Sequence, residues 1–148
     1  AVKVTDVVTG IVESIRVLVP EPAALVLTPP VYPPFFMVAD TLGLPVVAAP
    51  LDAAFRLDPA TLAAAFAEAR AAGRRPILLL SNPHTPTGTV HTSDELATVA
   101  RLAREAGALV VSDEIHAPLV MPGAASTFTP WLAVADTEPD VSSTSASK

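Results

Sequence analysis

Apolar residues along the first half of the chain follow two patterns, a helical repeat and short continuous runs. Between residues 7 and 19 they repeat at the spacing of one helical face, which predicts a helix capped by Thr5 or Asp6. Ala24–Leu27 is a short apolar run closed by two prolines, and this pattern predicts a buried strand. A helix and then a strand are predicted next, over Pro33–Leu42 and Pro45–Leu51.

The second half of the chain repeats the alternation of helix and strand. Asp58-Pro59 predicts a helix start and Gly73 the end of that helix, while Thr92–Glu95 has the pattern of a capping box and Gly107 ends the helix behind it. Apolar runs predict three strands, over Ile77–Leu80, Ala108–Ser112 and Val141–Thr144. Residues 113–140 are predicted to be mostly loop, with a short helix near Trp131–Ala135. The alternation predicts an α/β fold with a mostly parallel sheet and flanking helices.

Composition and charge narrow the classes of protein that fit this pattern. Hydrophobic residues make up 51% of the 148 residues and charged residues 16%, which is typical of a packed domain. A net charge of −6 argues against a nucleic-acid binder, and the absence of cysteine excludes disulfide scaffolds, cysteine–zinc sites and thiol catalysis. No apolar run approaches the roughly 18 residues of a membrane helix, so no membrane partner is expected.

Polar and conformationally special residues follow four of the predicted strands. Ligands bind beyond the carboxyl ends of the strands in open α/β sheets, so these segments are expected to form one site. The four segments are Thr28–Tyr32, Ser81–Gly88, Asp113–His116 and Ser145–Lys148.

Three side chains in these segments suggest chemistry. Asp113 follows a buried strand, and a buried carboxylate needs a cationic or donor partner, although it could instead cap a loop or helix. His116 could hydrogen-bond a ligand oxygen or be a structural histidine. Lys148, preceded by two serines that could bind phosphate, could be a Schiff-base nucleophile, or this tail could simply be solvated.

Together, these motifs resemble one family. Pro29–Phe35, Asn82–Gly88, Ser112–Ala117 and Ser145–Lys148 occur in the order found in class I/II pyridoxal-phosphate (PLP) enzymes of the aspartate aminotransferase fold. The forms of the first and third motifs resemble the branch of MalY/PatB-type cystathionine β-lyases. A dinucleotide-binding interpretation is weaker, because no Gly-x-Gly-x-x-Gly motif follows any strand.

The resemblance implies a role for each matching residue. Lys148 matches the lysine that forms the Schiff base with PLP and later moves the substrate's α-proton. Asp113 matches the carboxylate that keeps the pyridine nitrogen protonated, His116 stands near the phenolic oxygen, and Tyr32 matches the aromatic that stacks on the ring. The remaining matches are phosphate ligands: Ser145, Ser147 and the backbone N–H groups of Val7 and Val8.

Two residues depart from the family pattern. Thr85 stands where the family has an asparagine that contacts the phenolic oxygen, and threonine offers one shorter hydroxyl instead of an amide donor. Asp6 lies beside the expected phosphate cradle, where a carboxylate competes with a phosphate for the same helix end.

The resemblance implies a C–S β-lyase that releases a thiol, pyruvate and ammonia from a small amino-acid substrate. An aminotransferase and a non-catalytic remnant are the alternatives. No metal is expected. Residues 1–148 are expected to be part of a PLP-binding large domain, with the N-terminal segment and the small C-terminal domain outside them. The full-length protein is expected to be a cytoplasmic homodimer.

Overall fold

A computed structural model describes residues 3–121, 126–135 and 140–143. Within them, helices and strands occur in the predicted order, and each boundary lies within three residues of its predicted position. The elements are α1 (Val7–Leu18), β1 (Ala23–Leu27), α2 (Pro34–Leu42), β2 (Val46–Ala48), α3 (Pro59–Ala71), β3 (Arg75–Ser81), α4 (Ser93–Ala106), β4 (Leu109–Asp113) and β5 (Val141–Ser143). Two short 3-10 turns cover Ala117–Leu119 and Trp131–Ala133.

Local signals fix the ends of the helices. The side chain of Asp58 accepts a hydrogen bond from the Ala60 N–H at 2.8 Å and starts α3. Thr92 and Glu95 form the predicted capping box at the start of α4. Gly107 ends α4 with φ 65, a left-handed conformation that a residue with a Cβ adopts at a cost.

All five strands form one parallel sheet in the order β2-β1-β3-β4-β5. β1, β3 and β4 are its centre, and nearly every residue in them is buried, which explains their continuous apolar runs. The chain moves outward from β1 to β2 in one direction and from β3 to β5 in the other. Right-handed crossovers then place the connecting helices α2 and α4 on opposite faces.

Two hydrophobic cores cover the two faces of the sheet. On one face, α1 and α2 pack Ile11 and Phe35 against strand residues such as Leu79. On the other face, α3 and α4 pack Phe66 and Leu96 around the remaining strand residues. Burying one such side chain fully contributes roughly 1.5–3 kcal/mol, so these faces hold the sheet in place.

The direction of the strand order reverses between β1 and β3. This reversal leaves a crevice beyond the carboxyl ends of the two strands, where open α/β sheets bind their ligands. Thr28 leaves β1 and Asn82 leaves β3 at this edge, and Asp113 ends the neighbouring β4. In the part of the chain that the structure describes, no helix is long and apolar enough to cross a membrane.

Candidate active site

Asp113 is a buried carboxylate at the carboxyl end of β4. It is 7% exposed, and its Oδ1 accepts a hydrogen bond from the Ile115 N–H at 3.1 Å. Burial raises the pKa of Asp113, and the Ile115 N–H and the nearby His116 only partly offset this effect. Among the described residues, no lysine or arginine forms an ion pair with it. The predicted burial is confirmed, and one backbone N–H is the hydrogen-bond donor to this carboxylate among the described residues.

Glu114, the next residue, is equally buried but has a full set of hydrogen-bond donors. Its Oε1 accepts from the Trp131 N–H at 2.6 Å and the Ser112 hydroxyl at 3.2 Å, and its Oε2 accepts from the Ser142 hydroxyl at 2.6 Å. Its own N–H donates to the Ser143 carbonyl at 2.7 Å. No sequence signal marks Glu114, because two of its donors lie 17 and 28 residues further along the chain.

The loop after β3 is fixed by a buried histidine. His84 is 1% exposed; its Nε2 lies 3.5 Å from the Thr28 hydroxyl and its Nδ1 lies 3.0 Å from the Thr87 hydroxyl. Burial lowers the pKa of His84, so the neutral ring is favoured. The histidine thereby joins the ends of β1 and β3 across the crevice.

Two further polar groups under this loop have unpaired atoms. Asn82 donates from Nδ2 to the Thr129 carbonyl at 3.0 Å, but its Oδ1 is buried with no hydrogen-bond partner among the described residues. Both ring nitrogens of His91 are likewise buried and unpartnered there, with the ring edge-on to His84 at 6.0 Å. Burial lowers the pKa of His91 to about 4. No local sequence signal distinguishes His91, which only precedes the α4 cap.

A cavity of about 340 Å³ brings Thr85 and His116 together. Its walls are the loop after β3 and the segment after β4, and apolar side chains including Leu119 and Met121 line much of it. The predicted proximity of these two segments is confirmed. Tyr32 and Asp113 do not line this cavity.

Tyr32 lies in the loop after β1 and is 39% exposed. Its ring packs edge-to-face on the buried ring of Phe35, with the centroids 5.7 Å apart. This contact orients the phenol and leaves part of the side chain open to solvent.

The start of α1 is an expected anion site that already carries a carboxylate. Asp6 caps the helix: its Oδ1 accepts from the Thr9 N–H at 2.8 Å and its Oδ2 from the Thr9 hydroxyl at 2.7 Å. These hydrogen bonds lower the pKa of Asp6, so the charged form is favoured. Val7 and Val8 form the first turn, as predicted, with Asp6 beside them.

Three predicted site residues, Ser145, Ser147 and Lys148, lie outside the described residues. The structure describes the chain up to Ser143, the last residue of β5. Among the residues it describes, no group of three or more histidine, aspartate or glutamate side chains could hold a metal ion.

Comparisons with known proteins identify relatives of this chain. The chain is 45% identical to the "Putative cystathionine beta-lyase" of Mycobacterium leprae over 148 residues, which are 98% of this chain and 36% of that protein. It is 30% identical to cystathionine beta-lyase PatB of Bacillus subtilis over 95% of this chain and 35% of that protein. The chain therefore spans about a third of the length of these curated relatives.

Solved structures and family membership give the same result. The PLP-bound C-S lyase from Staphylococcus hominis matches with a TM-score of 0.83 and 26% identity, over 95% of this chain and 36% of that chain. The family model "Aminotransferase class I and II" matches residues 5–148. The fold is that of the PLP fold type I enzymes, as the motifs predicted. The chain belongs to the aminotransferase class I and II family.

Proposed function

We propose that this chain forms the PLP-binding part of a C–S β-lyase. The observation that carries the proposal is Asp113, a buried carboxylate at the carboxyl end of β4 with a raised pKa and no lysine or arginine ion pair among the described residues. A carboxylate in that setting gains most from a partner that brings its own positive N–H, and a protonated pyridine nitrogen is such a partner. The similarity to the PLP-bound C-S lyase supports the choice of cofactor.

Three other predicted site residues match other features of the cofactor. Tyr32 offers an oriented aromatic ring for stacking, and Thr85 and His116 offer polar atoms from opposite walls of one cavity. Bound PLP supplies an electron sink for the pair of electrons left when the substrate's α-proton is removed. Asp113 would keep the pyridine nitrogen protonated, and this positive charge lets the ring accept the electrons.

The proposed phosphate site has N–H and hydroxyl donors and one negative charge that opposes phosphate, that of Asp6. The N–H groups in the first turn of α1, at Val7 and Val8, would bind phosphate together with Ser145 and Ser147. Asp6 already accepts hydrogen bonds at this helix end, so phosphate binding would have to displace it or tolerate its charge.

The proposed reaction is β-elimination from a small amino acid with sulfur on Cβ. Lys148 would hold PLP through its ε-amino group and then take the α-proton, after which the Cβ–S bond breaks and the thiolate leaves. The sulfur accepts a proton, and water completes the conversion of the remaining three-carbon unit to pyruvate and ammonia. The names of the relatives in Mycobacterium leprae and Bacillus subtilis support this reaction over others.

An aminotransferase is the second candidate, because the family that matches residues 5–148 bears that name. Both reactions start with loss of the same α-proton. They differ in whether the group on Cβ then leaves or the amino group is passed on to a keto acid.

Pyruvate formation separates these functions. The intact protein that contains this chain is incubated with PLP and cystathionine, without any keto acid. The lyase predicts pyruvate release in step with thiol release, whereas an aminotransferase predicts amino-group transfer only when a keto acid is added.

Borohydride reduction followed by peptide mapping tests the cofactor assignment itself. A phosphopyridoxyl group on Lys148 is the expected result. Its absence would contradict PLP catalysis and favour a non-catalytic remnant.

We also propose that the intact protein is a cytoplasmic homodimer in which residues 1–148 supply part of the large PLP-binding domain. Apolar side chains exposed on α2, Phe36 at 45% and Met37 at 62%, support a protein partner on that surface. The absence of cysteine fits a reducing compartment. Sedimentation of the intact protein at twice the monomer mass is the expected result.

A further inference from the structure

Glu114 is a buried charge for which the proposed reaction has no use. It is 5% exposed, and none of the described lysines or arginines forms an ion pair with it. A buried carboxylate without a counter-ion is costly unless hydrogen-bond donors surround it. Three donors do so here: the Trp131 N–H and the hydroxyls of Ser112 and Ser142.

These donors come from three separate segments. Ser112 belongs to β4, the strand that ends in Asp113. Ser142 belongs to β5, the edge strand, and Trp131 starts the 3-10 turn that packs its indole in the core. The Glu114 N–H adds a fourth link, to the Ser143 carbonyl of β5 at 2.7 Å.

β5 is an edge strand with few attachments among the described residues. It is three residues long there, half-buried and paired with β4, and its Val141 packs against the core under α1 and α2. Asp140 also helps to fix the start of β5. Its Oδ1 accepts a hydrogen bond from the Val110 N–H at 3.0 Å, and its Oδ2 accepts one from the Trp131 indole N–H at 3.1 Å. Within β5, the Ser142 hydroxyl donates a hydrogen bond to the Glu114 side chain. Ser142 lies six residues before Lys148 in the sequence.

We propose that Glu114 is a positioning residue that fixes the strand leading to Lys148 against the strand that ends in Asp113. This inference rests on the proposed function, because it assigns those two residues to opposite ends of one reaction centre. The lysine amine and the carboxylate must be held to within about half an ångström for such a site to work, and a misplacement of about 1 Å costs roughly a hundredfold in rate. Glu114 touches neither reacting atoms nor cofactor in this role.

The test is the rate at which borohydride traps PLP on Lys148 in the intact protein, measured by peptide mapping at matched folded fraction. Glu114→Leu removes all three acceptor contacts and is expected to slow trapping at least about tenfold. Glu114→Gln is expected to trap within about twofold of wild type. The amide oxygen still accepts from Trp131 and Ser112, and the Ser142 hydroxyl can turn to accept from the new NH₂ group.

Glu95→Leu is the matched control, since Glu95 is a partly buried glutamate at the start of α4 and contacts neither β4 nor β5. This variant is expected to lower the melting temperature while trapping at the wild-type rate. Equal slowing in the two leucine variants, or wild-type trapping in Glu114→Leu, would overturn the positioning role.

If Glu114→Leu does not fold, Ser142→Ala decides the question, because it removes only the hydrogen bond between the Glu114 side chain and β5. It is expected to slow trapping about threefold with little change in melting temperature, and an unchanged rate overturns the inference. Failure of wild type to form any adduct on Lys148 would instead contradict the proposed function. The two failures are therefore distinguishable.

Discussion

Glu95, at the start of α4, and Asp113, at the end of β4, are both shielded carboxylates, but their surroundings are opposite. Glu95 accepts hydrogen bonds from Arg56, including one to Oε1 at 2.6 Å, and from the Thr92 N–H at 2.7 Å. Burial raises the pKa of Glu95, yet these donors outweigh burial and the net shift is downward. Asp113 has one backbone donor at 3.1 Å, and its pKa is raised.

The difference is between a charge whose donors come from the chain and a charge with a single backbone donor. The folded chain supplies the donors that Glu95 needs, so its charge stabilises the contact between the loop before α3 and the start of α4. In the proposed function, the charge of Asp113 is left for a partner from outside the chain, and such local imbalance is typical of functional sites. Substitution of Asp113 should therefore lower activity, whereas substitution of Glu95 should lower stability.

Asp113→Asn has the largest expected effect on function. Removing the charge leaves the pyridine nitrogen without its anionic partner, so kcat/KM for β-elimination is expected to fall about a hundredfold or more. A raised pKa means that the folded protein loses stability as pH rises above 3.8 through the pKa of Asp113. The variant should therefore unfold, without PLP, at a temperature no lower than that of wild type at pH 7. A large loss of stability with unchanged kinetics would show that Asp113, like Glu95, is a structural charge.

Glu95→Ala should show the reverse behaviour. It removes the capping box of α4 and the ion pair with Arg56, and the free energy of unfolding is expected to fall by about 2 kcal/mol. Because the pKa of Glu95 is lowered from 4.5, this stabilisation is present above pH 4.5 and is lost as pH falls through the folded value. Urea unfolding of both proteins at several pH values measures it. The affinity for PLP should not change.

His91→Phe tests whether unpaired groups under the loop after β3 cost stability. Phenylalanine keeps the edge-on contact with His84 and removes two buried nitrogens without partners, so the variant is expected to be about 1 kcal/mol more stable at pH 7. The pKa of His91 is lowered from 6.5 to about 4, so the unfolded chain takes up a proton first as pH falls through that window. The advantage of the variant should grow from pH 6.5 towards pH 4. An advantage that stays constant with pH would mean that His91 has a partner.

Asp6→Asn has the smallest expected effect and tests the opposing charge at α1. Asparagine can still cap the helix but carries no charge, so the affinity for PLP is expected to rise about threefold. Pyridoxal, which lacks the phosphate, should bind the two proteins equally. Asp58→Asn makes the same change at the start of α3 and should leave PLP affinity unaltered. A similar gain for pyridoxal would show that Asp6 does not act through the phosphate.

Short-range signals made most of the fold predictable. The caps at Asp58 and Thr92 involve residues two and three positions away, and the buried strands appear as continuous apolar runs. The burial of Asp113 followed from the strand before it. Thr85 and His116 could be placed together because parallel strands end at one edge of the sheet.

Long-range contacts were not predictable from the same signals. Glu114 gains two of its three donors from residues 17 and 28 positions away, and His84 meets Thr28 across 56 positions. His91 looks like any polar residue before a helix cap, and only packing shows that its ring is buried. Asp6 was identified as a competitor for phosphate, but its hydrogen bonds to Thr9 required coordinates.

A crystal structure of the intact protein with PLP tests the central claim most directly. We expect continuous electron density from the Lys148 amine to the cofactor. We also expect a hydrogen bond of about 2.8 Å between the pyridine nitrogen and the Asp113 carboxylate. PLP bound elsewhere, or bound with Asp113 turned away from the ring nitrogen, would contradict it.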